Sequence, residues 1–153
     1  MHRLFNTSRP DGDPALLDEG RSEKVRVIAF IRDARLKRDY EAFERAFTAD
    51  AVFTIIGNPG RVPFAGKRLG QKAMTQALRH MDRELEYLEF TTDRPVIEGD
   101  QAVVRWSARA RNPGTSCEAN IKGVAHLKFR GALIAEFTYL FDTQVIGGLL
   151  GGD

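Results

Sequence analysis

A few side chains in the last third of the chain have the chemistry to orient a ligand or move a proton: Trp106, His126, Glu136, Tyr139 and Asp142. They lie in segments that alternate apolar and polar residues in steps of two, and strand periodicity sorts such residues onto opposite faces. Tyr139 falls with Ala135, Phe137 and Phe141 on the apolar face, where its phenol is a donor suited to a substrate carbonyl. A buried tyrosine that gives its hydroxyl to the backbone is the plainer reading of the same residue. His126, Glu136 and Asp142 fall on the other face, so His126, which titrates near neutrality, reads as a structural or interface residue before a proton shuttle. Trp106 reads as a wall residue whose indole N–H is a candidate orienting donor. His2, His80 and His126 do not cluster, so no metal-ligand set is predicted, and no cofactor is expected. Cys117, the single cysteine, cannot form an internal disulfide, and it has no neighbouring His or helix N-terminus to activate its thiol.

The chain that must position these groups has 153 residues, 42% of them hydrophobic, which fits one domain able to bury a core. A formal charge of +2 with no long run of one sign leaves no electrostatic footprint for nucleic acid. No apolar stretch approaches the roughly 20 residues of a membrane span. The opening Met1–Pro10 segment lacks the apolar core of a secretory signal, so a cytoplasmic location is expected.

Residues 1–21 mix Pro, Gly, Asp and Arg without periodicity and read as a flexible arm, with a short helix conceivable around Ala15–Glu19. From Ser22, a plausible N-cap, Val27, Phe30, Ile31 and Ala34 recur at helical spacing and predict one buried stripe. Asp39 is placed to cap a second helix with Tyr40, Phe43, Ala46 and Phe47 on one face, ended by Thr48-Ala49-Asp50. Ala51–Ile56 reads as a strand. A Gly- and Pro-rich hinge follows, from Gly57 to Gly70, and then Met74, Ala77, Leu78, Met81 and Leu85 define a third helix. The remainder reads as an antiparallel meander of Leu88–Ile97, Ala102–Arg111 and two further strands, with reversals at Gly99-Asp100, Asn112-Pro113-Gly114 and Arg130-Gly131.

Alternation gives this meander one apolar face and one largely charged face, the latter carrying Arg105, Arg109, Arg111, Lys122 and Lys128 offset by Glu118, Glu136 and Asp142. The apolar face must be covered, and the three helices are the cover available. It is rich in small residues, among them Ala108, Ala110, Ala119, Gly123, Ala125 and Ala135. Small residues opposite aromatics admit either a close helix or a hollow; the mix here favours an apolar hollow walled by Trp106, Tyr139 and Phe141. A hollow of about 300 Å³ or more with Tyr139 exposed inside it would support a ligand-binding protein that uses Tyr139 as donor, whereas filling by Phe53, Trp106 and Phe141 would sink that reading.

Two helices, a strand closed by a Gly/Pro hinge, a third helix and a meander resemble the nuclear-transport-factor-2-like superfamily from about Val25 to Thr143. Within that span, Asp50-Ala51-Val52-Phe53, the hinge Pro63–Ala73 and the terminal Tyr139-Leu140-Phe141-Asp142 are similar to the SnoaL-like, ketosteroid-isomerase-related group. The resemblance implies an α+β fold, a cone-shaped, curved and mostly antiparallel sheet packed on three helices. It also implies a SnoaL-like domain at 22–143 and a flexible tail at 144–153. A homodimer through the sheet is expected by the same resemblance, and Val124, Ile134 and Leu140 on the polar face would be better covered.

Ketosteroid isomerase uses an Asp base and an oxyanion hole made by Tyr and a protonated Asp. Alignment puts the base at Ile55 and the oxyanion positions near Ile31 and Ala125, all apolar. Loss of a base forfeits about 10²–10⁴ in rate and loss of an oxyanion donor about 10²–10³, so this mechanism is disfavoured. Related epoxide hydrolases use paired Asp residues with an Arg; alignment puts one acidic role at Tyr139, with no second inward carboxylate expected. The resulting expectation is a protein that binds a compact apolar or polyketide-like molecule among Ile31, Phe53, Ile55, Trp106, Ala125, Phe137 and Phe141, with Tyr139 as donor in a proton-transfer step. The rival is a non-catalytic binding or assembly module of the same fold.

Overall fold

The computed structural model describes residues 14–151. The order is α1 (Pro14–Leu36), α2 (Tyr40–Arg45), β1 (Phe47–Ile55), β2 (Gly66–Leu69), α3 (Gln71–Glu84), β3 (Glu86–Thr92), β4 (Val96–Glu98), β5 (Gln101–Arg111), β6 (Glu118–Arg130), β7 (Leu133–Phe141) and α4 (Thr143–Leu149). The helices pack on a mixed seven-stranded sheet of order β2-β1-β7-β6-β5-β3, with β4 paired to β5. Only the β1–β7 pairing is parallel, because the chain leaves β1 through the hinge and α3 and returns to its side after the meander. The fold is thus α+β, as expected. No helix among the described residues is long and apolar enough to cross a membrane.

The largest correction to the sequence pattern concerns α1. Ile28, Ile31, Ala34 and Arg35 are buried, while Phe30 is 44% exposed and Val27 only partly covered. Ile31 and Ala34 are inside as expected, but the stripe runs 28, 31, 34, 35 and so exchanges Phe30 for Arg35 on the inner face. Helix α1 also begins at Pro14, so residues 14–21 of the expected arm are helical; residues 1–13 lie outside the described residues.

Asp39 caps α2 as predicted, accepting from Ala42 N at 3.0 Å. The helix stops at Arg45, however, and Thr48-Ala49-Asp50 is already strand. The hinge also gives more structure than a linker. Asn58 closes it with Oδ1 accepting from Gly60 N at 2.9 Å, Val62 and Phe64 are fully buried, and Gly66–Leu69 pairs antiparallel with Val52–Ile55. Gly66 and Gly70 hold φ of 124° and 86°, which glycine alone adopts without strain, and Gly70 opens α3.

In the meander the expected Leu88–Ile97 strand is two, β3 and β4, both paired to β5. Burial in β5 and β6 follows the predicted alternation, Val104, Trp106, Ala108 and Ala110 facing in beside Ile121, Ala125, Leu127 and Phe129. In β7 a register shift opposite Lys128 and Phe129 turns Ile134 inward, where it is fully buried, although strict alternation puts it on the polar face. The expected flexible tail is α4, capped by Asp142, which accepts from Gln144 N and Val145 N at 3.1 Å, and Ile146 and Leu149 are buried. Among the described residues α4 thus joins the three expected N-terminal helices.

Candidate functional site

The end of α1 faces the end of α3 across the start of β3, and this brings two charged side chains into the core. Arg35 Nη1 lies 2.5 Å from Asp82 Oδ1, with the side chains only 5% and 4% exposed. Asp82 is one turn beyond Leu78 on the buried face of α3. Its other oxygen accepts the hydroxyl of Tyr40, whose ring is stacked under Arg79 at 4.3 Å. The guanidinium of Arg35 sits 5.6 Å from the ring centre of Tyr87 on β3. Neither charge was expected inside; the sequence pattern predicts no inward carboxylate beyond the helix boundaries. The signal was present as an Arg at i+4 from Ile31 and an Asp at i+4 from Leu78, opposite charges on two core stripes.

Beside this pair is an apolar cavity between α1 and the sheet, lined by Ile31, Arg35, Phe90, Trp106, Ala125, Phe137 and Tyr139, among others. Its volume is about 40 Å³, room for a few waters and well below the ~300 Å³ of a ligand pocket. The small residues do not leave the expected hollow, because aromatics occupy it. Phe53 and Phe137 stack at 5.5 Å, Tyr139 meets Phe137 at 4.6 Å and Trp106 at 6.1 Å, and Phe90 lies on Trp106 at 5.4 Å. Gly123 is needed for this packing, since a Cβ there would fall 2.4 Å from Trp106 Cζ2.

Of the predicted pocket residues, Ile31, Trp106, Ala125, Phe137 and Tyr139 are brought together on the cavity wall. Phe53 and Ile55 are fully buried but do not line it, Phe53 being sealed behind Phe137 and Tyr139. Phe141 is half-buried beside Trp106 and Tyr139 but lines a different groove, with Arg105, Lys122, Val124 and Leu140. Phe43, Phe90 and Arg35, absent from the prediction, take their places. His126 is outside, 2.8 Å from Gln101 Oε1. Cys117 is exposed, and among the described residues no three His, Cys, Asp or Glu converge as a metal site.

Two residues of the cavity wall, Arg35 and Trp106, carry buried donors that are left over, as is Thr48 Oγ1 on β1 away from the cavity. Arg35 Nε, Arg35 Nη2 and Trp106 Nε1 are buried and have no hydrogen-bond partner among the described residues. A buried donor without an acceptor costs about 1–3 kcal/mol, more when charged. Burial opposes the Arg35 charge, but the oxygens of Tyr87, Asp82 and Tyr139 outweigh it and hold its pKa above the usual arginine range. Burial raises the Tyr139 pKa far above that of free tyrosine, and the Arg35 charge only partly offsets this. Tyr139 is therefore a neutral phenol at physiological pH, able to donate and not to act as a base. Among the residues lining the cavity there is no carboxylate and no imidazole. Asp82, with both oxygens engaged, faces a separate outer groove shared with Arg38, Arg83 and Glu86.

A mixed sheet covered by helices, with a mainly apolar interior, defines a small α+β protein. A SnoaL-like domain model matches residues 18–137, and the chain belongs to that family. A comparison with curated protein sequences gave no match. Among solved structures, TerC co-crystallised with polyporic acid is similar at a TM-score of 0.77 and 18% identity, over 85% of this chain and 99% of TerC. An NTF2-like protein of unknown function from Burkholderia pseudomallei gives 0.76 and 19%, over 84% and 97%. A Catenulispora acidiphila protein with a ketosteroid-isomerase-like fold, in complex with trimethylamine, gives 0.70 and 13%, over 83% and 93%. At these identities the likeness is one of fold.

Proposed function

We propose that the chain is a small-molecule-binding SnoaL-like protein whose interior takes a compact, mainly apolar compound and holds its oxygen with Arg35, Trp106 and Tyr139. The observation that carries this reading is the set of unpartnered N–H groups on an apolar wall, Arg35 Nε, Arg35 Nη2 and Trp106 Nε1. A ligand oxygen would supply the acceptor that these buried donors lack. The small volume means that binding is coupled to opening. The side to open is the α1–β3 seam, where Phe90 covers Trp106 and Arg32 Nη1 meets Thr92 Oγ1 at 3.3 Å. That TerC was crystallised with polyporic acid and another relative in complex with trimethylamine supports an interior used for ligands.

The cavity wall favours binding over isomerisation, because it carries donors and no base. The test uses the single tryptophan as a reporter. Small aromatic ketones titrated into the protein are expected to shift the one indole N–H resonance, and Ala125→Leu, which fills the cavity, is expected to abolish the shift. A shift of equal size in Ala125→Leu would place the ligand elsewhere and end the reading. Proton transfer with Tyr139 as donor is the second reading; it stands on the neutral phenol at the cavity wall and falls if Tyr139→Phe leaves turnover of an identified substrate unchanged.

A homodimer through the outer sheet face belongs to the same proposal. Leu140 is 43% exposed there, beside Val124. Light scattering should give a dimer for the native chain and a monomer for Leu140→Lys.

A further inference from the structure

The donors on the cavity wall have a geometry as well as a number. A guanidinium offers parallel N–H pairs along its edges, each matched to two oxygens in one plane. In Arg35 the Nη1 end is taken by Asp82, and the atoms left unpartnered are Nε and Nη2, which together form the side-on edge. Asp82 faces the outer groove and not the cavity, whereas Arg35 lines both. The ion pair, steadied by Tyr40 on the second carboxylate oxygen, thus holds the Nη1 end of the guanidinium, while the hydroxyls of Tyr87 and Tyr139 lie close to it without meeting Nε or Nη2 in hydrogen-bond geometry. Trp106 Nε1 is a third unpartnered donor on the same wall.

We propose that the Nε/Nη2 edge of Arg35, with Trp106 Nε1 beside it, recognises a planar group carrying two acceptor oxygens on an otherwise apolar ligand, a carboxylate or an enolised 1,3-dicarbonyl. The proposal rests on the interior being a ligand site. A lone carbonyl would leave one buried guanidinium N–H unmatched. A phosphate dianion would bring two negative charges to a guanidinium already neutralised by Asp82. The two candidate groups share the planar oxygen pair and differ in charge, so the experiment separates them.

Shape-matched probes are titrated into the full chain, with the indole N–H of Trp106 as readout: cinnamate against trans-β-methylstyrene, and 1-phenyl-1,3-butanedione against 1-phenyl-1-butanone. In at least one pair the two-oxygen member is expected to bind about tenfold or more tightly, the advantage of a charge-assisted hydrogen bond. The pair that shows it identifies the group. Arg35→Lys keeps a cation for Asp82 but removes the fork, so it should abolish the advantage of the two-oxygen member over its partner. If that variant does not fold, the Arg35 Nε–H resonance of the native chain decides, since it must shift with the favoured member and not with its partner. Equal affinity within both pairs, or an advantage that persists in Arg35→Lys, overturns the fork while leaving the interior a ligand site. No shift of the indole resonance with any of the four probes overturns both.

Discussion

The β1 side of the interior and its α1–β3 side are filled in opposite ways. On the first, Phe43, Phe47, Phe53 and Phe137 interlock with ring centres 4.9 to 6.4 Å apart, and Ile55 stands at the end of β1. The rings there are apolar and close-packed, and the polar exception is Thr48 Oγ1 on β1, buried without a hydrogen-bond partner among the described residues. On the second, a guanidinium, a carboxylate and three phenols share the space, and donors remain without acceptors. Hydrophobic packing accounts for the first side except at the Thr48 hydroxyl. For the second it leaves unpaired polarity, and that marks the side where a ligand would add something.

The difference predicts how each side breaks. Asp82→Ala leaves the Arg35 charge buried and uncompensated, and it should lower unfolding free energy by about 3–5 kcal/mol in urea denaturation. Phe53→Ala should cost a similar ~3–5 kcal/mol by opening a cavity. Only the first loss is repairable from across the site. Arg35→Met combined with Asp82→Leu removes both charges and should restore native stability or exceed it by about 1–4 kcal/mol, while abolishing probe binding. If the double variant were no more stable than Asp82→Ala, the pair would be structural, and the contrast between the two sides would be lost.

Gly123 lies where packing meets donors. A methyl group there would fall 2.4 Å from Trp106 Cζ2 and 2.7 Å from the Leu140 carbonyl oxygen, and the backbone oxygen cannot yield as a side-chain tip does. Gly123→Ala should therefore cost about 1–3 kcal/mol and move the indole resonance even without ligand. An unshifted resonance would show that Trp106 does not lie under β6 as described.

How much of this was legible follows from the same two sides. The β1 side obeys simple periodicity: Phe43 on α2, Phe53 on β1 and Phe137 on β7 are buried where alternation or helical spacing puts them. Ile31, Ile55 and Ala125 are likewise buried. Arg35 escaped because α1 carries two overlapping stripes, and the one with more apolar residues, including Phe30, is not the one that turns inward. Hydrophobic periodicity favours Phe over Arg at a core position, and only tertiary pairing with Asp82 reverses that order. Ile134 escaped for a different reason: a register shift depends on the partner strand, and no local pattern encodes it. The hollow was overread because small residues announce room without saying which aromatic from another element will take it.

The smallest expected effect bears most closely on chemistry. Tyr139→Phe removes one hydroxyl from the wall and keeps the ring packed on Phe137, so its cost at neutral pH should not exceed about 1 kcal/mol. Its signature lies in alkali. Burial raises the folded pKa of Tyr139 above the unfolded value of about 10. The folded state therefore keeps a proton that the unfolded chain gives up, and stability is undiminished below pH ~10 and falls as pH rises from there towards the folded pKa. Tyr40 and Tyr87, raised by burial in the same direction, contribute to the same loss. Urea midpoints at pH 8 and pH 11 should thus diverge more for the native chain than for Tyr139→Phe. If the two proteins lose stability equally over that interval, Tyr139 is open to water, its phenol is no longer held as a neutral donor, and the α1–β3 side loses the residue that links its buried charges to the cavity.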